Sequence, residues 1–182
     1  KEFEADREAL IQKAIDAGIK RMFMPNISSE SIEPMLEVEK QFPEFCYPMM
    51  GLHPCSVAEN VEEELQVIEA WLEKRTFIAI GEIGIDLYWD KTFFKQQQQA
   101  FRRQIQLAKK YSLPYVIHSR NAFDETMEIV NEFKTEHIKA IFHCFSGNLE
   151  QAQQVIAAGD FKLGIGGVVT FKNSGLDKVV EA

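Results

Sequence analysis

A chain of 182 residues with 46% hydrophobic content is long enough for one domain with a real core. Its net charge of -8 argues against broad electrostatic binding to nucleic acid, which needs a basic surface. It leaves room for an enzyme that holds a phosphodiester through bound cations, because the ions bring positive charge of their own.

No apolar run approaches the roughly 20 residues of a membrane span, and the opening KEFEADREAL is charged and amphipathic, unlike a secretory signal. Cys46, Cys55 and Cys144 are widely spaced, with no CxxC. That pattern fits buried thiols in a reducing compartment better than disulfides or a cysteine zinc site. The expectation is a cytoplasmic protein without membrane contact.

Along the chain, an amphipathic helix, a turn and a short β-rich run alternate. A helix is predicted from about Glu4 to Ala17, with Leu10, Ile11, Ala14 and Ile15 on one face and Gly18 as its stop. Ile19 to Met24 reads as a strand, Ser31 to Gln41 as a helix, and Tyr47 to Leu52 as the next strand, closed by His53 and Pro54. Val61, Leu65, Ile68 and Leu72 recur at helical spacing before an apolar run that starts at Phe77. A long helix from about Thr92 to Lys110 turns Phe94, Phe101, Ile105 and Ala108 inward; its Gln96 to Gln99 run is expected on a solvated face. Strands at Leu113 to Ile117, Ile138 to Phe142 and Phe161 to Ile165 alternate with helices at Phe123 to Phe133 and Leu149 to Ala158. A further helix starts near Ser174.

Strict βα alternation implies a parallel sheet, which a doubly wound open sheet and a TIM-type (β/α)8 barrel both satisfy. Neither GxGxxG nor GxxxxGKS/T, the fingerprints that favour the open sheet, is present. A full barrel typically needs about 250 residues, so this chain accommodates only part of one.

Polar residues recur immediately after the apolar strands: His53, then Glu82 with Asp86, then His118 with Arg120, then His143 with Ser146. In a parallel α/β fold these strand ends converge on one face. A buried carboxylate flanked by Gly81 and Gly84 is costly without a compensating cation or hydrogen-bond network. Glu82, His118 and His143 together make a plausible donor set for Zn, Mn or Mg. Asp86 reads either as a partner that orients a ligand or as a helix N-terminal residue. Arg120 reads either as a phosphate-binding fork or as half of a surface ion pair. His53 either donates to a phosphate or caps the loop before Pro54. His137, in the polar KTEHIK loop, is expected to be solvated. Cys144 is expected to pack on the far side of its strand rather than act as a nucleophile.

GLHP at Gly51 to Pro54, GEIGID at Gly81 to Asp86, IHSR at Ile117 to Arg120 and HCFSG at His143 to Gly147 resemble the TatD family of metal-dependent deoxyribonucleases. GIGGVVTFKN at Gly164 to Asn173 matches in kind, and together these pieces span nearly the whole chain in the family's order. The resemblance implies an amidohydrolase-like TIM-type barrel with one or two divalent metal ions and DNA as substrate. No stable protein partner is implied. By position, Glu82 would be the catalytic carboxylate that can bridge two metals. His118 and His143 would complete one metal position, and His53 and Arg120 would lie near the DNA phosphate. The family's opening strand with His-x-His and its acidic residue after the eighth strand have no counterpart. The expectation is therefore one barrel domain over residues 1–182, truncated at both ends. Rival readings are an amide or ester hydrolase on the same barrel, and a non-catalytic binding or scaffold chain.

Overall fold

The structure, a computed structural model, describes residues 5–134 and 137–182. Among the described residues, six parallel strands alternate with helices. They are β1 (Met22–Pro25), β2 (Cys46–Met49), β3 (Ile80–Asp86), β4 (Tyr115–Arg120), β5 (Ala140–Phe142) and β6 (Phe161–Leu163). The helices are α1 (Arg7–Asp16), α2 (Ile32–Gln41), α3 (Val61–Lys74), α4 (Phe94–Lys110), α5 (Phe123–Glu132), α6 (Leu149–Ala158) and α7 (Leu176–Glu181). The helix expected from Glu4 starts at Arg7, and Glu4 itself lies outside the described residues.

β1 pairs with β2, and β3 to β6 pair in chain order; a single bridge from Met50 to Ile80 joins the two groups. Each strand therefore lies beside the next in sequence, as in a barrel wall, and the order never reverses as it would in a doubly wound sheet. Among the described residues, β1 and β6 each have one unpaired edge.

The core sits between this sheet and the helices, where Ile80, Ile83, Ile85, Ile117 and Tyr115 meet Phe101 and Ile105 of α4 and Leu65 and Ile68 of α3. Arginine pairs link successive outer helices. Arg75, just past α3, forks onto Glu39 of α2; Arg103 of α4 meets Glu69 of α3; Arg102 forks onto Glu132 of α5. Such partly exposed pairs contribute up to about 1 kcal/mol each, so they trim helix placement while burial holds the fold.

Strand β3 departs from the expected pattern. The apolar Phe77 to Ala79 precedes it, and the strand runs through GEIGID itself, with all seven of its residues buried. Its pairing with β4 shifts between Ile80 and Ile83, an irregularity that apolar periodicity does not reveal. Gly84 has φ 139° and lies opposite His118, so close that any β-carbon would overlap the His118 carbonyl. Glycine is required there on both counts.

Gly84→Ala is expected to destabilise the protein by about 3 kcal/mol or more, since strain and steric overlap act together. Urea unfolding followed by circular dichroism measures this; a change below about 1 kcal/mol would show that the close approach does not constrain the strand.

Candidate metal centre

The parallel strands bring their C-terminal ends to one mouth. Glu82 and Asp86 lie on β3, and His118 and Arg120 on β4. His143 follows directly after β5, and His53 opens the 3-10 turn Pro54–Ser56 beyond β2. Of the sequence-nominated residues, Glu82, His118, His143 and His53 gather around one another, and Asp86 joins them through His118.

Glu82, only 8% exposed, turns its two oxygens to different neighbours. Its Oε2 lies 3.7 Å from His118 Nδ1 and 3.9 Å from His53 Nε2, while Oε1 lies 3.6 Å from His143 Nε2. Two ligands about 2.1 Å from a shared ion sit roughly 3.4 Å apart in tetrahedral geometry. The observed gaps are slightly longer than this and too long for strong hydrogen bonds.

The surrounding hydrogen bonds set the imidazole tautomers. His118 Nε2 meets Asp86 Oδ2 at 2.8 Å, so Nε2 carries the proton and Nδ1 offers its lone pair toward Glu82. This is the carboxylate–histidine arrangement that orients a metal ligand. His53 Nδ1 accepts the Cys55 backbone N–H at 3.1 Å, which leaves the proton of neutral His53 on Nε2. That N–H points at His118 Nδ1, 3.3 Å away. His53 therefore both caps its turn and presents a donor to the mouth.

For His118, burial favours the neutral ring, but the neighbouring carboxylates Glu82 and Asp86 outweigh it and raise its pKa above the usual imidazole value, so a proton and a cation compete for Nδ1. Burial, and then the neighbouring His118, push the His53 pKa down to about 4 against the pull of Glu82 and Asp86. His53 is neutral at physiological pH. Burial works against the charged form of Glu82, yet the neighbouring His118, His143 and His53 hold its pKa below the usual carboxylate range. Asp86 is 2% exposed. Burial likewise opposes its charge, but His118, the backbone N–H groups of Tyr88 and Trp89, and the Cys55 thiol outweigh that cost. Both carboxylates are therefore anionic.

A divalent ion fits the donor chemistry of Glu82, His118 Nδ1 and His143 Nε2. His53, Cys55 and His118 also bring one ligand atom each within 4.8 Å of one another, close enough to hold an ion. That second group fits less well. Burial, the charge of Asp86 and the hydrogen bond to it push the Cys55 thiol up to about 11, and His53 offers a proton where a ligand offers a lone pair.

Asp86 is not at a helix start, because α4 begins only at Phe94. Its Oδ1 instead takes the N–H groups of Tyr88 and Trp89. Arg120 has no carboxylate partner among the described residues and lies with Cζ 3.8 Å over the Tyr88 ring. His137 is exposed, as expected of a solvated loop.

Three expectations are corrected. Cys144 does not pack inward: β5 has ended at Phe142, strand alternation no longer applies, and φ of 45° leaves the thiol exposed, 3.2 Å from His143 Nε2. Cys55 is exposed as well, so only Cys46 is a buried thiol. Nor is Gln96 to Gln99 wholly a solvated face. Gln97 is 3% exposed, accepting from Asp86 N at 2.9 Å and donating to Asp86 O at 3.2 Å.

Gln104, equally buried, does the same for Leu52, accepting from its N–H at 2.7 Å and donating to its carbonyl at 3.2 Å. Helix α4 thus pins the backbone beside His53 and at Asp86. Sequence reading missed both glutamines. The signal was their helical phase: Gln97, Phe101, Gln104 and Ala108 lie on one face, and two of those four are apolar residues already assigned inward.

Parallel strands that carry a carboxylate and histidines to one mouth are the arrangement found in metal-dependent hydrolases of the TIM-barrel class. The whole chain, residues 1–182, matches the family described as TatD related DNase, and the protein belongs to that family. It is 34% identical over 179 residues to the uncharacterized metal-dependent hydrolase YabD of Bacillus subtilis, covering 98% of this chain and 69% of YabD. The 3'-5' ssDNA/RNA exonuclease TatD of Erwinia tasmaniensis is 29% identical, over 96% of this chain and 67% of that protein. The crystal structure of YjjV, a TatD homologue from Escherichia coli K12, superposes with a TM-score of 0.88 at 31% identity, covering 98% of this chain and 69% of YjjV. The chain therefore spans about two thirds of the length of these relatives.

Gln97→Leu leaves the Asp86 backbone N–H without a partner and is expected to cost about 1–3 kcal/mol in urea unfolding; no measurable loss would mean the clamp is idle. For Cys55, a thiol pKa of about 11 predicts slow alkylation despite exposure. Iodoacetamide labelling at pH 8 should lag an ordinary exposed thiol by about two orders of magnitude and rise as pH approaches 11. Mass mapping across a pH series checks this, and labelling at the ordinary rate would contradict the combined effect of burial and Asp86 on the thiol.

Proposed function

We propose that this chain carries the metal centre of a nuclease that hydrolyses phosphodiester bonds in single-stranded nucleic acid. The observation that carries the reading is Glu82, whose two buried oxygens face three imidazole nitrogens, with His118 turned by Asp86 to offer a lone pair. Membership of the TatD related DNase family supports it, as do relatives named as ssDNA/RNA exonucleases.

Glu82, His118 Nδ1 and His143 Nε2 would hold a divalent ion, Mg, Mn or Zn. Such an ion, when bound, supplies an activated water and a Lewis acid for a phosphoryl oxygen. The chain's own residues do the positioning. Asp86 keeps the His118 proton on Nε2 and the ring fixed. The Nε2–H of His53, free once His118 Nδ1 is engaged, donates to a non-bridging phosphate oxygen. The Arg120 guanidinium has its planar donors available for the same phosphate as charge builds in the transition state. No serine or cysteine nucleophile is required.

Glu82→Ala is expected to abolish stoichiometric metal uptake and to cut hydrolysis of a 3'-labelled single-stranded oligonucleotide by at least 10³-fold, as expected when a metal ligand is lost. Chelation should silence the wild type, and added Mg, Mn or Zn should restore it. Turnover of cyclic amides with the oligonucleotide intact would overturn the assignment. Asp86→Asn, which keeps the side-chain volume, should weaken metal affinity about 10- to 100-fold by isothermal titration. Unchanged affinity would remove Asp86 from its orienting role.

A further inference from the structure

The site described so far reads a phosphate and leaves the rest of a nucleotide unaccounted for. Beside it, the loop after β3 presents two large aromatic side chains to solvent, Tyr88 at 50% and Trp89 at 70% exposure. Both are held near the metal centre: their backbone N–H groups bond to Asp86 Oδ1 at 2.9 and 3.3 Å, while Asp86 Oδ2 holds His118. The two rings meet at right angles with centroids 4.8 Å apart. Arg120, in register with Asp86 on the neighbouring strand, lies 3.8 Å over the Tyr88 ring and 5.3 Å from that of Trp89.

Trp89 also lines a cavity of about 230 Å³, together with Pro54, Ala58, Phe93, Gln97 and the acidic Asp86 and Asp90. That is smaller than the roughly 300 Å³ at which pockets for drug-sized ligands begin, and so on the scale of one ring system. The acidic chain, at -8, gains little from long-range attraction to a polyanion. Affinity for a nucleic acid then has to come from local contacts, and stacking of bases on aromatic and guanidinium planes is the contact such surfaces provide.

We propose that Tyr88, Trp89 and Arg120 form a seat for one unpaired nucleobase next to the phosphodiester held at the metal centre. The proposal rests on the nuclease reading above. Arg120 divides its work by geometry: the flat face of the guanidinium stacks, and its rim of N–H donors turns to the phosphate. Within a duplex both faces of a base are covered by its neighbours, so the seat admits only a base that is out of the stack. Selection for single strands follows from the seat without any base-specific hydrogen bond.

The test uses the metal-free protein carrying Trp71→Phe, which leaves Trp89 the sole tryptophan of the two in the chain. It is titrated with a single-stranded oligonucleotide, with the same strand carrying one tetrahydrofuran abasic residue at each position in turn, and with a blunt duplex. Trp89 emission is expected to be quenched by the intact strand, and one abasic position should weaken binding roughly ten- to hundredfold. The duplex should leave the emission unchanged. In the metal-loaded protein, Trp89→Leu is expected to erase the preference for the base-containing strand over that abasic one. Hydrolysis without quenching, or with equal use of every abasic strand, overturns the seat and leaves the nuclease reading standing. Base-selective quenching without any hydrolysis supports the seat and overturns that reading. Neither quenching nor hydrolysis overturns both.

Discussion

The carboxylate of Asp86 is the contact on which the rest of the mouth depends. It is almost fully buried, yet it stays anionic because every side of it is answered: His118 on one oxygen, two backbone N–H groups on the other, and the Cys55 thiol beside them. A buried charge satisfied in this way resists displacement, since losing one partner leaves the others around an uncompensated ion. The same side chain thus fixes a histidine tautomer, a loop and the reactivity of a thiol. Its own backbone is fixed from behind by Gln97, so its position is set by α4 as much as by β3.

Glu82 occupies the opposite situation. Its neighbours stand at 3.6 to 3.9 Å, near it without closing on it. The carboxylate is therefore less completely satisfied than Asp86, and the histidines that could satisfy it come from three different strand ends. Rigid support behind and incomplete satisfaction in front is the combination that a preformed ligand set requires. The sheet supplies it because sequential parallel strands stack their ends side by side.

Much of this was legible in the residues. The alternation of helical and β-rich runs predicted six βα units, and the polar residues that follow them named Glu82, His118, His143 and His53, which the fold does bring together. What escaped was governed by contacts without a local signature. β3 continues through GEIGID because β4 pairs with it and Gly84 lets the chains close up, and apolar runs report neither fact. Cys144 was misplaced because alternation was extended one step past the end of a strand. Gln97 was taken with its neighbours as polar surface and Gln104 was passed over, although their helical phase matches Phe101 and Ala108; composition was weighed over phase. Tyr88 and Trp89 sit in a loop, where no periodicity operates.

The two glutamines also make α4 a ruler. They stand seven residues apart, close to two turns of helix, so both amides leave the same side and engage the backbone of two neighbouring strand ends. Substitutions between them change surfaces while leaving that phase intact. Adding or deleting a single residue there would rotate one amide by about 100° away from its strand end. Length variation in this segment should accordingly be purged far more strictly than variation in residue type, a restriction on evolutionary drift that arises from helix pitch and not from any side chain at the reacting centre.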